Sequence, residues 1–600
     1  MPISISELFS IPLIYRLDLS SDGRKLLYSS NASGVAHLYI SSTKQGSKPK
    51  QITSGKDSVM FGYLSPSGNQ VLYLLDKDGN ELHHLFVTSE DGTNTKQITK
   101  SPCRTWDASW EPNGKEIARS YSTQKSCGIE VFSLKTKENV VLREQQAPFG
   151  DVVYSHDGKR IACTEYGGGK DPKNIEVTIL KRKDPKDVVH YKFKDGSKEL
   201  SPSWSPDGRK LAFVSDAKGK NQIVIQNIKG HDSQFLALNE GEEAVDLQSP
   251  CWSAKSDAVY YAVSKHSRTR LYKHLLNGEK TALPFPEGTT LFFKASQDGK
   301  TIVAIHSSLS SPHCIYLHKI GSKSARPITS QKFKVDKAKL SKPRSVWYKS
   351  SDGLRIHAWY LPTGRRKIPQ PAVVWPHGGP TFQTYDVWSA YIQSISQSGF
   401  AVLAPNIRGS TGYGAEFRNM NLSDLGGGDL EDTVAGAKWL AKRHEIDKSK
   451  IAIFGGSYGG YMALMALTKR PEVFAAGVAL VPVTDWLESY ELDDATFRKI
   501  DEELFGGPPE KKRKLYHDRS PINFVSNIRA PVLITAGRND PRCPIQPIEK
   551  FVKKLEKMKH PHEFVVEEKE GHIVGRVGPL KREVTTGIKY LRRTLNVRNN

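Results

Sequence analysis

A turn motif that recurs through the first half of the chain constrains its fold more than any other feature. The typical form is Ser-x-Asp-Gly, followed by a polar pair and a short apolar segment. Seven copies recur at spacings of about 43 to 50 residues, the length of one four-stranded propeller blade. They begin at Ser20, Ser65, Glu111, Ser155, Ser205, Ser253 and Ser296. Asp-Gly or Asn-Gly provides the positive φ that a tight hairpin needs, so each copy predicts a hairpin.

Each repeat is too short to cover its own apolar face, so the repeats must stack around a common axis. Seven copies therefore predict a seven-bladed β-propeller over roughly residues 10–330. Similar segments close the blades, as in Gln51-Ile52-Thr53 and Pro327-Ile328-Thr329. The sixth copy lacks its glycine. An array of β-sandwich hairpins is the alternative reading of the same pattern.

From about residue 340 the pattern changes to apolar strands alternating with helices, which favours a largely parallel sheet covered on both faces. Six hundred residues are also too many for a single hydrophobic core. We predict a propeller over residues 1–335 and an α/β-hydrolase domain over residues 336–600. The predicted buried strands include Ala372–Trp375, Ala401–Ala404, Ile451–Phe454 and Val532–Ala536.

The strongest chemical motif is Gly455-Gly456-Ser457-Tyr458-Gly459, between the strand Ile451–Phe454 and an apolar helical segment. A nucleophile on a sharp strand-to-helix turn needs glycines two residues before and after it, because the backbones approach closely there. Ser457 is therefore the predicted nucleophile. A glycine-rich turn with an incidental serine is the alternative.

A serine nucleophile needs a base and an orienting carboxylate, which follow it in the order Asp then His in this fold. Asp540 follows the apolar run Val532–Ala536, and His572 follows the predicted strand Glu563–Glu567. We predict that these two residues complete a triad with Ser457. A helix cap at Asp540 and a structural His572 are the alternatives.

An oxyanion hole needs two N–H donors. The hydrolase fold takes one from the residue after the nucleophile, here Tyr458. The second donor follows an early strand, and Gly379 in His377-Gly378-Gly379-Pro380 is the predicted residue. A plain Gly-Pro turn is the alternative.

Composition limits the other functions. The net charge of +23 would allow contact with nucleic acid or anionic membranes, but the basic residues are scattered and lack interleaved aromatics. We predict neither partner. Six widely spaced cysteines without a CxxC pair indicate free thiols and, with no signal-like start, a cytoplasmic protein. No metal or cofactor is predicted, and self-association as a homo-oligomer is left open.

Taken in order, these motifs resemble the prolyl oligopeptidase family of serine peptidases, closest to its acylaminoacyl-peptidase and dipeptidyl-peptidase branch. The resemblance covers nearly the whole chain and includes Asn406-Ile407-Arg408-Gly409-Ser410 and Gly426-Gly427-Gly428-Asp429. It implies a propeller that admits only short peptides to the active site.

The same resemblance assigns substrate contacts. It implies that Arg542 binds a substrate backbone carbonyl and that Val483, Trp486 and Cys543 line an apolar pocket for the residue before the scissile bond. Ordinary core packing is the alternative for these three. Glu242-Glu243 is the candidate for the glutamate pair with which dipeptidyl peptidases hold a free amino terminus.

The predicted function is hydrolysis of short peptides through a Ser-Asp-His triad and an acyl-enzyme, in the manner of acylaminoacyl-peptidases. Dipeptidyl peptidase, oligopeptidase and carboxylesterase activities remain alternatives on the same triad. A propeller scaffold with an inactive hydrolase remnant is the non-enzymatic alternative.

Overall fold

The computed structural model describes residues 2–167, 173–230, 232–246, 250–329, 335–363 and 369–597. The chain begins with a short helix, α1 (Ile5–Phe9), which has a complete capping box between Ser4 and Glu7. Its buried residues Leu8 and Phe9 pack the amino terminus onto the rest of the protein.

Residues 14–235 form five antiparallel sheets of four strands each. The first comprises β1 (Ile14–Leu19), β2 (Lys25–Ser30), β3 (His37–Ser42) and β4 (Lys50–Gln51). The second comprises β5 (Gly62–Leu64), β6 (Gln70–Leu75), β7 (His84–Ser89) and β8 (Lys96–Gln97). The third comprises β9 (Arg104–Trp110), β10 (Glu116–Ser122), β11 (Cys127–Ser133) and β12 (Asn139–Gln145). The fourth comprises β13 (Phe149–Tyr154), β14 (Arg160–Tyr166), β15 (Ile175–Lys181) and β16 (Asp184–Tyr191). The fifth comprises β17 (Glu199–Trp204), β18 (Lys210–Ser215), β19 (Gln222–Asn227) and β20 (Ser233–Phe235).

The next nine strands are hydrogen-bonded as one sheet, whose two halves are joined by a single pairing between Thr269 and Thr289. The first half comprises β21 (Glu243–Ala244), β22 (Cys251–Trp252), β23 (Ala258–Lys265), β24 (Arg268–Leu275) and β25 (Lys280–Ala282). The second half comprises β26 (Thr289–Ala295), β27 (Thr301–Ser308), β28 (Ser311–Lys319) and β29 (Ala325–Pro327). The second half of this nine-stranded sheet contacts the first four-stranded sheet, because β26 packs against β1. These sheets form the propeller domain.

The repeated motif forms the same turn in every copy. The N–H of the fourth residue donates to the carbonyl of the first in all seven copies. The residue with positive φ in each turn is, in chain order, Gly23, Gly68, Gly114, Gly158, Gly208, Ser256 and Gly299. Ser256, at φ 58°, therefore adopts the left-handed conformation without the glycine that favours it. The turn geometry predicted from the repeat is confirmed.

Buried aspartates link neighbouring sheets of the propeller. The Asp18 carboxylate accepts the Leu64 N–H, 2.8 Å away in the next sheet. Asp107 accepts the Val152 N–H at 3.0 Å, and Asp151 accepts the Ser201 N–H at 3.1 Å. Each carboxylate thus binds backbone of the following sheet, and burial raises the pKa of Asp151 to about 6.

The second domain is built on an eight-stranded sheet in the order β30-β31-β33-β32-β34-β35-β36-β37. The strands are β30 (Arg344–Lys349), β31 (Arg355–Leu361), β32 (Gln370–Val374), β33 (Ala401–Asn406), β34 (Ile446–Gly456), β35 (Ala476–Leu480), β36 (Val532–Gly537) and β37 (His562–Glu567). The first two are antiparallel, and β32 to β37 run parallel to one another.

Helices cover both faces of this sheet. They are α2 (Ala390–Gln397), α3 (Ala415–Asn419), α4 (Gly428–Ala441), α5 (Tyr458–Lys469), α6 (Trp486–Leu492), α7 (Ala495–Phe505), α8 (Pro509–Asp518), α9 (Ile545–Lys557) and α10 (Val577–Thr594), with 3-10 helices at Lys337–Lys339 and Pro521–Asn527. Within one strand, Ile453 packs into the core with α5, whereas Phe454 packs into the core with α10. Alternate residues of the strands thus fill two cores, as predicted for a parallel sheet covered on both sides.

The two domains contact each other through ion pairs and bare backbone. Lys198 pairs with Glu503 at 2.5 Å, and Arg268 pairs with Asp386 at 2.8 Å. A Cβ added to Gly571 would lie 1.7 Å from the Gly79 carbonyl oxygen, so these two segments of the chain are in direct backbone contact. All six cysteines are unpaired. Across the described ranges, no helix has the length and apolarity needed to cross a bilayer.

The aspartate links predict a specific loss of stability. Asp107 also accepts the Tyr63 hydroxyl at 3.0 Å, so Asp107→Ala leaves both this hydroxyl and the Val152 N–H unpaired. Each unpaired group costs about 1–3 kcal/mol. We expect a lower calorimetric Tm for Asp107→Ala than for the wild type. Asp184→Ala, on the exposed strand β16, is the control, and equal Tm values for the two variants would contradict the role of Asp107.

Candidate functional site

Ser457 lies on a strained turn between β34 and α5, at φ 57° and ψ −123°. Glycines on both sides make this turn sterically feasible. A Cβ on Gly455 would lie 2.4 Å from the Gly459 carbonyl oxygen, and one on Gly459 would lie 2.3 Å from the Pro376 carbonyl oxygen. The glycines two residues before and after the serine are therefore required, as the sequence motif indicated.

The structure brings Ser457, His572 and Asp540 together. The Ser457 Oγ lies 2.9 Å from His572 Nε2, and His572 Nδ1 lies 2.8 Å from Asp540 Oδ2. Asp540 follows β36 and His572 follows β37, so adjacent parallel strands deliver both side chains to the sheet edge where β34 ends. A hydroxyl, an imidazole and a carboxylate in this order have the geometry of a nucleophile, its base and the group that orients the base.

The Asp540 carboxylate is fully hydrogen-bonded. Its Oδ1 accepts the N–H groups of Arg542 at 2.8 Å and Cys543 at 2.9 Å, and its Oδ2 faces the histidine. Asp540 is only 5% exposed. These contacts fix the carboxylate in one orientation, which in turn fixes the ring of His572.

Tyr458 immediately follows the serine, and Gly379 belongs to the loop that approaches it, because a Cβ added to the preceding Gly378 would lie 3.5 Å from the Ser457 Cβ. Neither backbone N–H donates to another group within the described part of the chain. The loop of Gly379 is held by His377, whose Nε2 lies 2.8 Å from the Ser410 Oγ. Burial lowers the pKa of His377 to about 4, so this imidazole is neutral near neutral pH. Ser410 belongs to the Asn-Ile-Arg-Gly-Ser motif, which thus supports the Gly379 loop.

The side chain of Tyr458 points into the protein, where its hydroxyl donates to the Asp429 carboxyl. Asp429 is completely buried at the start of α4, and burial raises its pKa to about 7. The Gly-Gly-Gly-Asp motif therefore supplies a buried acid that holds the residue next to Ser457.

Arg542 binds Glu81 of the propeller, with distances of 2.7 and 3.0 Å from its Nε to the two carboxylate oxygens. Glu81 also lies 3.3 Å from Arg104, which contacts Asp494 at 2.8 Å. Sequence analysis did not find Glu81, Arg104 or Asp494. No local pattern in the sequence marks these residues, because two of the contacts join segments that are hundreds of residues apart.

The three predicted pocket residues are all buried in the core that also contains Tyr458, the residue after the serine. Val483, Trp486 and Cys543 are each less than 8% exposed, and Trp486 packs edge-on against Tyr461 and Phe505. The Cys543 thiol lies within hydrogen-bonding reach of the Ser457 hydroxyl, and burial holds its pKa well above the ordinary value.

Glu242 and Glu243 are occupied by other partners. Glu242 pairs with Lys280 at 2.5 Å, and Glu243 accepts the N–H groups of Asn221 and Gly414 at 3.0 and 3.2 Å. These contacts make both glutamates structural residues of the propeller and of its contact with the second domain.

Sequence comparison identifies the domains. Residues 386–598 match the prolyl oligopeptidase family, residues 137–355 match the TolB beta propeller domain, and residues 7–127 match the dipeptidyl peptidase IV N-terminal region. The chain carries a prolyl oligopeptidase family domain and is a serine peptidase.

Some relatives of the peptidase match nearly the whole chain. It is 26% identical to the uncharacterized peptidase YuxL of Bacillus subtilis, over 94% of this chain and 87% of the relative. Dipeptidyl aminopeptidase BIII of Pseudoxanthomonas mexicana is 24% identical, over 95% of this chain and 85% of the relative. The human acylamino-acid-releasing enzyme is 27% identical over only 40% of this chain and 34% of its own. The superposition on a structure of puromycin hydrolase complexed with PGG has a TM-score of 0.87 and covers 100% of this chain and 97% of that one. The two sequences are 21% identical, so this match shows a likeness of fold.

Removing the charge of Glu81 should weaken the contact between the domains. Breaking a buried ion pair by removing one partner costs about 3–5 kcal/mol, but the partial exposure of Arg542 reduces this. We expect Glu81→Gln to destabilise the peptidase by about 1–3 kcal/mol, measured by calorimetric unfolding. Glu549→Gln removes an exposed partner of Arg538 and is the control. The same Tm shift in both variants would show that Glu81 has no special role.

Asp429 should make stability depend on pH. Its pKa is about 7 in the folded state and near 4 in an unfolded chain, so between these values only the unfolded state loses the proton. This group's contribution to stability is therefore greatest below pH 4, is lost as pH rises towards 7, and is constant above it, by roughly 4 kcal/mol in all. We expect the Tm of the wild type, relative to that of Asp429→Asn, to fall between pH 5.5 and 7 and then level off. A pH-independent difference would contradict the raised pKa.

Proposed function

We propose that the peptidase hydrolyses short peptides through an acyl-enzyme, with Ser457 as nucleophile, His572 as base and Asp540 as the orienting acid. The observation that carries this proposal is the continuous hydrogen-bonded chain from the Ser457 hydroxyl to His572 Nε2 and from His572 Nδ1 to Asp540.

The proposed reaction has two matched halves. Ser457 Oγ attacks the scissile carbonyl while His572 Nε2 takes its proton, and the imidazolium then donates that proton to the leaving amine. Water enters in place of the amine, His572 removes its proton, and collapse of the second tetrahedral intermediate returns the proton to Ser457 and releases the acid. Asp540 keeps Nδ1 protonated throughout, so the lone pair of Nε2 faces the serine.

Two backbone donors stabilise the tetrahedral oxyanion in this proposal, the N–H groups of Tyr458 and Gly379. Their lack of other acceptors in the described ranges supports the role. The N-terminus of α5 also directs its positive end towards the developing charge.

We assign the substrate contacts to the residues around the triad. Arg542 is positioned beside Asp540 to bind a substrate carbonyl, and Val483, Trp486 and Cys543 form the wall for the residue before the scissile bond. The burial of these three residues in the core that contains Tyr458, and the interaction of the Cys543 thiol with the Ser457 hydroxyl, support an apolar pocket.

The propeller acts as a size filter in this proposal. We count its blades as seven by dividing the nine-stranded sheet at the single pairing of Thr269 with Thr289, and we place the domains at residues 1–335 and 336–600. Contacts of the propeller turn Asp78–Glu81 with the loops of Asp540 and His572 support a site enclosed by both domains. Folded proteins would be too large to reach Ser457.

The preferred substrate is a peptide with a blocked amino terminus, as in acylaminoacyl-peptidases. Glu81, Glu242 and Glu243 are each already paired with arginine, lysine or backbone N–H groups, so a free ammonium group would have to compete with these partners. Dipeptidyl peptidase activity is the second candidate, because dipeptidyl aminopeptidase BIII matches almost the full chain.

A matched substrate panel tests the mode of cleavage. Acetyl-aminoacyl, free-amino dipeptidyl and internally quenched peptide amides, with ester versions of the first two, are compared by kcat/KM. We expect the acetylated amide to have the highest value. Faster turnover of the free dipeptidyl amide would favour the second candidate, and amide turnover at background with active ester turnover would make the protein an esterase.

Ser457→Ala should lower kcat by roughly 10⁴- to 10⁶-fold, because the attacking oxygen is gone while the oxyanion donors remain. A fluorophosphonate probe should label the wild type and not Ser457→Ala. Ser526→Ala removes an exposed serine of the same domain and is the control. If Ser457→Ala retained wild-type turnover the proposed mechanism would be wrong, and an unlabelled, inactive wild type would favour the scaffold alternative.

A further inference from the structure

One side chain beside the triad, Cys543, takes part in no chemical step of the proposed reaction. Cys543, Asp540 and His572 present a thiol, a carboxylate oxygen and a ring nitrogen within 4.8 Å of one another. Thiolate and imidazole are the ligands that zinc and cadmium prefer, and carboxylate is a regular third donor. We propose that Cys543 and His572 form an inhibitory site for a thiophilic divalent cation such as Zn²⁺.

The hydrogen bonds around Asp540 decide which atoms bind the cation. The N–H groups of Arg542 and Cys543 occupy its Oδ1, and the Nδ1–H of His572 occupies its Oδ2. The ring nitrogen left with a free lone pair is therefore His572 Nε2. Metal-binding histidines typically donate their other N–H to a carboxylate in this way, so Asp540 already orients His572 as it would in a zinc site.

The thiol approaches from the same side as Nε2. The hydroxyl of Ser457 lies 2.9 Å from Nε2 and within hydrogen-bonding reach of the Cys543 thiol. In a tetrahedral zinc site the ligand atoms are separated by about 3.3–3.6 Å, given Zn–S and Zn–N bonds of about 2.3 and 2.0 Å. The Cys543 thiol lies within 4.8 Å of a ring nitrogen of His572, so rotation of these two side chains is the movement needed to reach this geometry. Ser457 Oγ or a water provides a further ligand.

Binding would stop the reaction proposed above, on which the inhibitory effect rests. The cation takes the Nε2 lone pair that must accept the proton of Ser457, so the serine is no longer activated. The Cys543 thiol loses its proton to solvent as the S–Zn bond forms, and inhibition therefore strengthens as pH rises. Removal of the cation by a chelator restores the free imidazole and the thiol.

Two measurements test the site. Zn²⁺ is titrated into the wild type, Cys543→Ser, Cys543→Ala and the control Cys314→Ser, which removes a half-buried thiol of the propeller. Inhibition is expressed relative to the zinc-free rate of each variant. We expect the half-inhibitory concentration to rise at least about tenfold in both Cys543 variants and to be unchanged in Cys314→Ser. A chelator should reverse inhibition, and Mg²⁺, which prefers oxygen ligands, should not inhibit.

Cadmium provides a readout that does not need activity. Cd²⁺ bound to thiolate gives an ultraviolet charge-transfer band, which we expect in the wild type and Cys314→Ser and not in the Cys543 variants. Circular dichroism establishes that each variant is folded. Equal zinc sensitivity with and without Cys543, a cadmium band that survives its removal, or no band in the wild type would each overturn the proposal. If no amide is hydrolysed, the proposed function fails while the cadmium band still decides the metal site.

Discussion

The close approach of three backbone segments around Ser457 is the constraint on which the active site depends. Gly455 and Gly459 touch each other across the turn, and Gly459 also rests on the carbonyl of Pro376 at the end of β32. Any side chain at these glycines would move the serine away from the sheet edge. The strained φ of Ser457 is maintained because two neighbouring parallel strands and α5 determine the path of the chain on both sides of it.

The hydrolase sheet converts this local constraint into a triad. Because β34, β36 and β37 run parallel, the residues that follow them emerge at one edge, although 115 residues separate Ser457 from His572. Asp540 receives three hydrogen bonds that hold it in one orientation, and the Gly379 loop is held through His377 and Ser410. The motifs that the sequence showed most clearly are therefore of two kinds. Some fix the path of the backbone, and the others lie where strands end.

Features that have a short repeat or a short motif could be predicted from the sequence. The hairpin turns, the parallel strands and the elbow around Ser457 all depend on residues close in the chain, and the order of a hydrolase fold points to Asp540 and His572. Sequence reasoning did not reach the contacts of Glu81 with Arg104 and Arg542, because only the folded chain brings these residues together. The same limit applies to Glu242-Glu243. Adjacency of two acids says nothing about Lys280 or Gly414, which the fold brings to them.

The contact between Gly79 and Gly571 places the propeller directly against the loop that carries His572. Gly571 immediately precedes His572, and its backbone rests on a propeller turn with no side chain in between. A movement of the propeller by even a fraction of an ångström would be passed on through backbone atoms to the imidazole. We therefore expect variation in this turn to affect the position of His572 as well as the access of substrate.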